Sequence, residues 1–212
     1  MIRRTVPLAT CAGLLALATA CGPAVGQAAQ DQTAQGQAGQ GQAAQAAPSG
    51  FAWFRPGAAP ASWRQASLAG RTGVLSYPAS LRPEPGDPGT MTFGLSTRSG
   101  TVLVYLNVTP GLSGETLRDW PGFRAAHLRA AGETAVRVDV ASGTLAFRGG
   151  RGRCVIDDYT TTVHDNHYRE IACYVRTAGA GSASVLIATT RAVTWPRYGA
   201  LLEQVVNGYT VK

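Results

Sequence analysis

The sequence predicts an α+β domain in which an antiparallel meander of strands carries two main helices. Three observations point there. Within the globular part, helical periodicity is confined to two stretches, near residues 115–131 and 195–207. Five β-type segments follow the first of these, joined by short glycine-containing turns. The composition, 45% hydrophobic and 15% charged, is too apolar for a fully disordered chain and too poor in Glu and Lys for a coiled coil.

Residues 1–20 read as an export segment. Arg3 and Arg4 precede an apolar run, Leu8–Ala20, that is shorter than the about 20 residues a spanning helix needs. Ala18-Thr19-Ala20-Cys21-Gly22 follows. This stretch resembles the bacterial lipoprotein signal, which implies lipidation at Cys21, a lipid bilayer as partner, and a domain held at the outer face of the cell membrane. Residues 21–50 then read as a lipidated cysteine and a flexible tether. From 22 to 50, eight Gln, nine Ala and six Gly stand against a single charge, Asp31. Such a segment buries too little apolar surface to offset the entropy of ordering. The remaining residues, 51–212, form one globular α+β domain. Loss of Arg3 and Arg4 lowers the net charge from +7 to +5. The other arginines are scattered, with Arg148, Arg151 and Arg153 in a Gly-rich turn as the nearest cluster. An exported chain without a basic stripe has no nucleic acid partner.

The elements follow in order. Strands are expected at Gly73–Tyr77, Met91–Ser96 and Val102–Val108. In the first helix Leu117, Trp120, Phe123 or Arg124, His127, Leu128 and Ala131 recur at helical spacing, and Gly132 marks the stop. Pro121-Gly122 breaks the pattern early, so a short turn is expected before the main helix. The meander comprises Ala135–Val140, Thr144–Arg148, Arg153–Thr161, Tyr168–Arg176 and Ser184–Thr190. Thr194 caps the second helix, Trp195–Asn207; Pro196 suits its first turn and Gly208 ends it. Tyr198, Leu201, Leu202, Val205 and Val206 form its apolar face.

With Cys11 discarded and Cys21 lipidated, Cys154 and Cys173 remain, and an oxidising compartment pairs them. Bridging two antiparallel strands there sets Val155 opposite Ala172, Ile156 opposite Ile171, Asp158 opposite Arg169, and Tyr159 opposite Tyr168. The same register puts Asp157 opposite Glu170, and like charges in that position repel. Either the register is locally wrong there or a cation sits between them, with Arg153, Arg151 and a metal ion as the candidates. On the face away from the cysteines, Tyr159, Tyr168 and Tyr174 line up beside Asp157 and Glu170. This is the candidate binding surface, since Tyr packs its ring while its hydroxyl stays wet, unless a helix or the segment around Trp53, Phe54 and Trp63 covers it.

Catalytic motifs are weak. Gly94-Leu95-Ser96-Thr97-Arg98 and Gly111-Leu112-Ser113-Gly114-Glu115 lack the final glycine of a nucleophile elbow. Gly149-Gly150-Arg151-Gly152 lacks the lysine of a phosphate-cradling loop. His164-Asp165-Asn166-His167, with carboxylates nearby, supplies ligand types for a metal without a metal-site spacing. No catalytic residue, cofactor or metal site is assigned.

The order of elements carries one further signal: Tyr77-Pro78, a strand ending in Thr109-Pro110 before a helix, and Ser184–Thr190 leading to Trp195, a helix and Tyr209-Thr210-Val211. Over residues 62–212 it resembles the Mog1/PsbP-like fold, including actinobacterial lipoproteins related to LpqN. The sequence departs from that pattern in Gly208-Tyr209, where Ser-Phe is common, and in its cysteine pair. The resemblance implies an αβα sandwich that serves as a non-enzymatic binding or assembly module, with a protein or cell-envelope partner. The alternative is an exported enzyme or metal binder that uses the His164–His167 loop.

Overall fold

A computed structural model describes residues 49–179 and 181–212. The export segment, Cys21 and most of the tether lie outside the described residues. The described chain opens with a 3-10 turn, Ser49–Phe51, whose Phe51 is fully buried.

Eleven strands and two α-helices follow. β1 (Arg64–Ser67), β2 (Gly73–Tyr77) and β11 (Thr210–Val211) make a small sheet in the order β1-β2-β11. The large sheet contains β3 (Arg82–Pro83), β4 (Met91–Ser96), β5 (Val102–Pro110), β6 (Thr134–Ala141), β8 (Gly150–Thr160), β9 (His167–Thr177) and β10 (Ala183–Arg191). Its order is β3-β4-β5-β10-β9-β8-β6, every pair antiparallel, and β7 (Leu145–Phe147) also pairs with β8. Three short strands, β1, β3 and β11, come in addition to the eight expected; none has an alternating apolar face long enough to announce it.

α1 runs Trp120–Ala130 and α2 runs Trp195–Gly208. α1 starts five residues later than the periodicity from Glu115 suggests. Pro121 sits in its first turn, where a missing N–H costs nothing, and so fixes the start. Glu115 instead lies in the preceding loop, its Oε2 accepting the Leu112 amide at 2.6 Å. Gly132, at φ 90°, turns the chain from α1 into β6.

The two helices cover opposite faces of the large sheet, as an αβα sandwich requires. On the α2 face, Cys154, Ile156, Ile171, Cys173, Leu186 and Ala188 pack with Leu202, Val205 and Val206 of α2, with Tyr209 just after it, and with Leu75 and Val211 of the small sheet. On the α1 face, Val155, Ala172, Tyr174, Val185 and Ile187 pack around Trp120. Trp120 is 1% exposed and donates its indole N–H to the Ala172 carbonyl at 3.0 Å. That single bond satisfies the ring's polar atom and sets the helix over β9.

The β8–β9 register is the one the cysteines imply. Cys154 faces Cys173, the disulfide is formed, and their Cα atoms are 4.0 Å apart. Asp158 pairs with Arg169 across the strands at 2.8 Å. Because the bridge joins neighbouring central strands, its contribution comes from restricting the unfolded chain. Closing a loop of about 20 residues is worth about 3 kcal/mol in the chain-entropy model. Urea unfolding of the Cys154→Ala/Cys173→Ala variant should lose about that much stability and keep the native circular dichroism. An unchanged midpoint would contradict this role.

Candidate functional site

The α1 face of the large sheet is built in rows. One row runs Val138, Asp157, Glu170, Thr189, Tyr105 across β6, β8, β9, β10 and β5. The next runs Ala141, Val155, Ala172, Ile187, Asn107, Thr92. The second row is apolar from β6 to β10, whereas the first carries Asp157 and Glu170 on β8 and β9. At β5 both rows are polar and half-buried, at Tyr105 and Asn107.

Beneath α1 lies a buried charge cluster. Asp157 and Glu170 are both fully buried and sit opposite each other. The cation between them is neither Arg153 nor Arg151. Arg153 turns away to the carbonyls of Ser142 and Arg118, and Arg151 is exposed. Arg124 of α1 supplies the charge, with Nε and Nη2 each 2.6 Å from Glu170 Oε1. Its side chain is only 11% exposed. Burial works against its charge, but the adjacent Glu170 carboxylate, the largest opposing influence, keeps the guanidinium ionised. Tyr159 completes the cluster, its hydroxyl donating to Glu170 Oε2 at 3.4 Å. Burial and the nearby Glu170 push the phenol upward, so it stays protonated.

Asp157 fares differently, because neither of its oxygens has a hydrogen-bond partner among the described residues. Burial first, then the adjacent Glu170, push its carboxyl up to about 8. One arginine thus serves one carboxylate, and burial beside Glu170 favours the protonated form of the other.

The five residues of the expected binding surface therefore do not form an open patch. Asp157, Glu170, Tyr159 and Tyr174 are buried; only Tyr168 is half-exposed, stacked on Tyr159 at 5.8 Å. The cover is α1, through Arg124 on Glu170 and Trp120 on Tyr174, whose rings stack at 5.8 Å. Trp53 and Phe54 pack on the opposite side.

Beside α1, where the cover ends, a groove of about 550 Å³ opens. Trp120, Phe123, Arg124 and His127 of α1 form one wall; Glu170 and Tyr159 close its inner end. Val185, Ile187 and Thr189 of β10 and Tyr105, Asn107 and Thr109 of β5 make the floor. Asp87, Pro88, Thr90, Leu112 and Glu115 form the opposite rim. The β5 residues alternate in sequence and were read as an ordinary strand. Arg124 was legible in principle, since it sits one turn after Trp120 and one before Leu128 on the same stripe.

The His164–His167 loop does not assemble a metal centre: among the described residues no three His, Cys, Asp or Glu side chains come together to hold an ion. His167 Nε2 lies 3.8 Å from Asp158 Oδ1, but Asp158 already receives Arg137 and Arg169. His164 and Asp165 are exposed at the hairpin tip. No helix among the described residues is long and apolar enough to cross a membrane.

No family model matches the sequence, and no curated protein matches it. The fold is similar to that of PsbP (CyanoP) from the cyanobacterium Synechocystis, with a TM-score of 0.52 and 19% identity over 74% of this chain and 96% of that one. It is similar also to the Ran-binding protein Mog1p of Saccharomyces cerevisiae, with a TM-score of 0.50 and 10% identity over 70% and 95% of the two chains. LpqN of Mycobacterium tuberculosis aligns at a TM-score of 0.36 and 14% identity, over 73% of this chain and 80% of LpqN, and carries no argument. At these identities the likeness shows the Mog1/PsbP-like α+β fold and nothing further.

The cluster has a sharp mutational signature. Arg124→Met leaves Glu170 buried without its cation and should cost about 3–5 kcal/mol in chemical denaturation. Arg124→Met/Glu170→Gln, which removes the stranded charge, should recover a large part of that loss. A single variant as stable as the wild type would contradict the pairing.

Proposed function

We propose that this chain is an exported, lipid-anchored domain that acts without catalysis as a binding or assembly module at the outer face of the cell membrane. Its binding site is the groove beside α1. The observation that carries this reading is the groove itself, a preformed concavity of about 550 Å³ between a rigidly pinned helix and a half-covered sheet. Its walls suit holding better than chemistry. Arg124 is committed to Glu170, and the Thr189 hydroxyl donates to the Arg169 carbonyl at 3.0 Å. Among the described residues no groove hydroxyl is hydrogen-bonded to a histidine that would act as its base.

Export is supported by the disulfide, which persists in oxidising compartments, and anchoring by the lipoprotein-like Ala18–Gly22 stretch ahead of the tether. The fold is compatible with a binding role, since Mog1p, which shares it, is a Ran-binding protein.

Both parts are tested in one set of cells. The wild-type chain should fractionate with membranes and Cys21→Ser should appear in the medium; membrane retention of the variant would overturn anchoring. A photo-crosslinking residue at Leu112, on the groove rim, should give a discrete adduct in intact cells. The same residue at Gln65, exposed on the small sheet, should give none. Equal labelling from both positions, or no adduct from Leu112, would overturn the groove as the binding site.

A further inference from the structure

Three carboxylates, Asp87, Glu115 and Glu170, line this concavity beside two basic side chains, Arg124 and His127, and Arg124 is already spent on Glu170. Glu115 is 9% exposed; its Oε2 takes the Leu112 amide, and its other oxygen has no partner among the described residues. Asn107 donates its amide N–H to Thr92 Oγ1 at 3.0 Å, which leaves its carbonyl oxygen free to accept. These two free acceptor oxygens ask for a donor. An ammonium carries three donors and no acceptor. Its carbon chain would find Phe123, Val185 and Ile187, which supply the apolar part of the same walls.

Resting on the binding reading above, we infer that the groove binds an aliphatic ammonium group, seated between Glu115 and Asn107 with its carbon chain along Phe123, Val185 and Ile187. A free alkylamine and the lysine side chain of another protein share this chemistry. The state of Glu115 supports the assignment. Burial raises its carboxyl above the ordinary range, against the lowering effects of the Leu112 amide, His127 and Arg124. An arriving cation favours the ionised form, so binding should release a proton from Glu115 and tighten as pH rises through its titration.

The test uses the full chain with four probes of similar length: cadaverine, Nα-acetyl-lysine methylamide, pentanol and pentanoate. Binding is read by calorimetry and by the NMR signal of the Asn107 side-chain amide. Cadaverine or the lysine amide should bind and shift Asn107, while the neutral and anionic probes should not. The tighter of the two amines separates a free amine from a protein lysine as the source. Glu115→Gln should weaken binding about tenfold or more, the loss expected for one charge-assisted hydrogen bond, with an unchanged melting temperature. Amine binding that survives Glu115→Gln, or pentanol or pentanoate binding as well as cadaverine, would overturn the ammonium assignment. If no probe shifts Asn107 while the Leu112 adduct still forms, the ammonium class fails and the groove reading stands; loss of both removes the groove reading too.

Discussion

Arg124 has two buried carboxylates to serve and one positive charge to do it with. Asp157 and Glu170 are forced opposite each other by the same register that brings Cys154 to Cys173. Both are fully buried, so water cannot screen them. The arginine reaches Glu170, and burial favours a proton on Asp157, which removes the second charge. That division fixes where α1 lies. Its guanidinium must reach β9 from one turn of the helix while Trp120, one turn earlier, places its indole N–H on the Ala172 carbonyl. Two anchors on one helical stripe leave α1 no freedom to slide along the sheet. Burying an ion pair is a poor way to add stability, because desolvation offsets much of the attraction. Its service here is positional.

The groove is a consequence of that placement. Pinned at Trp120 and Arg124, an eleven-residue helix is too narrow to cover the whole sheet, since its diameter with side chains is about 10–12 Å and strands stand about 4.8 Å apart. β10 is still buried, at Val185, Ile187 and Thr189, and the strip beyond it, at Tyr105 and Asn107 of β5, is half-buried. On the opposite face α2 and the small sheet bury an apolar layer across β8, β9 and β10, edged by the Asp158–Arg169 pair. One face of the sheet is thus mostly apolar and the other is divided between a charge cluster and an open groove.

Much of the fold was legible because its signals are local. Alternation in Met91–Ser96, the amphipathic stripe of α2, and Pro196 and Gly208 at its ends depend on neighbours along the chain. The β8–β9 register was legible for a different reason, since one covalent constraint fixes every pair in an antiparallel ladder. The candidate site was only half visible. The repulsion between Asp157 and Glu170 pointed to a cation or to a local register fault, but the cation's source lay 46 residues from Glu170, on an element whose docking angle no local pattern encodes. Tyr105, Asn107 and Thr109 look like the wet side of any strand until the position of α1 shows that they floor a groove. The tyrosines taken for a surface were instead the underside of the helix contact.

The protonation of Asp157 is the point on which this arrangement turns, and carbon-13 NMR of its carboxyl reads it directly. Glu170, Arg124, Tyr159, Asp158 and Arg169 surround the group, and the expected midpoint is about 8. Unfolded aspartate releases its proton near pH ~3.9, so between the two values the folded chain binds more protons than the unfolded one. The contribution of Asp157 to stability is then fully present at low pH and is lost as pH rises through 8. An Asp157 carboxyl that titrates near ~4, as an exposed aspartate does, would contradict the one-arginine, one-proton arrangement.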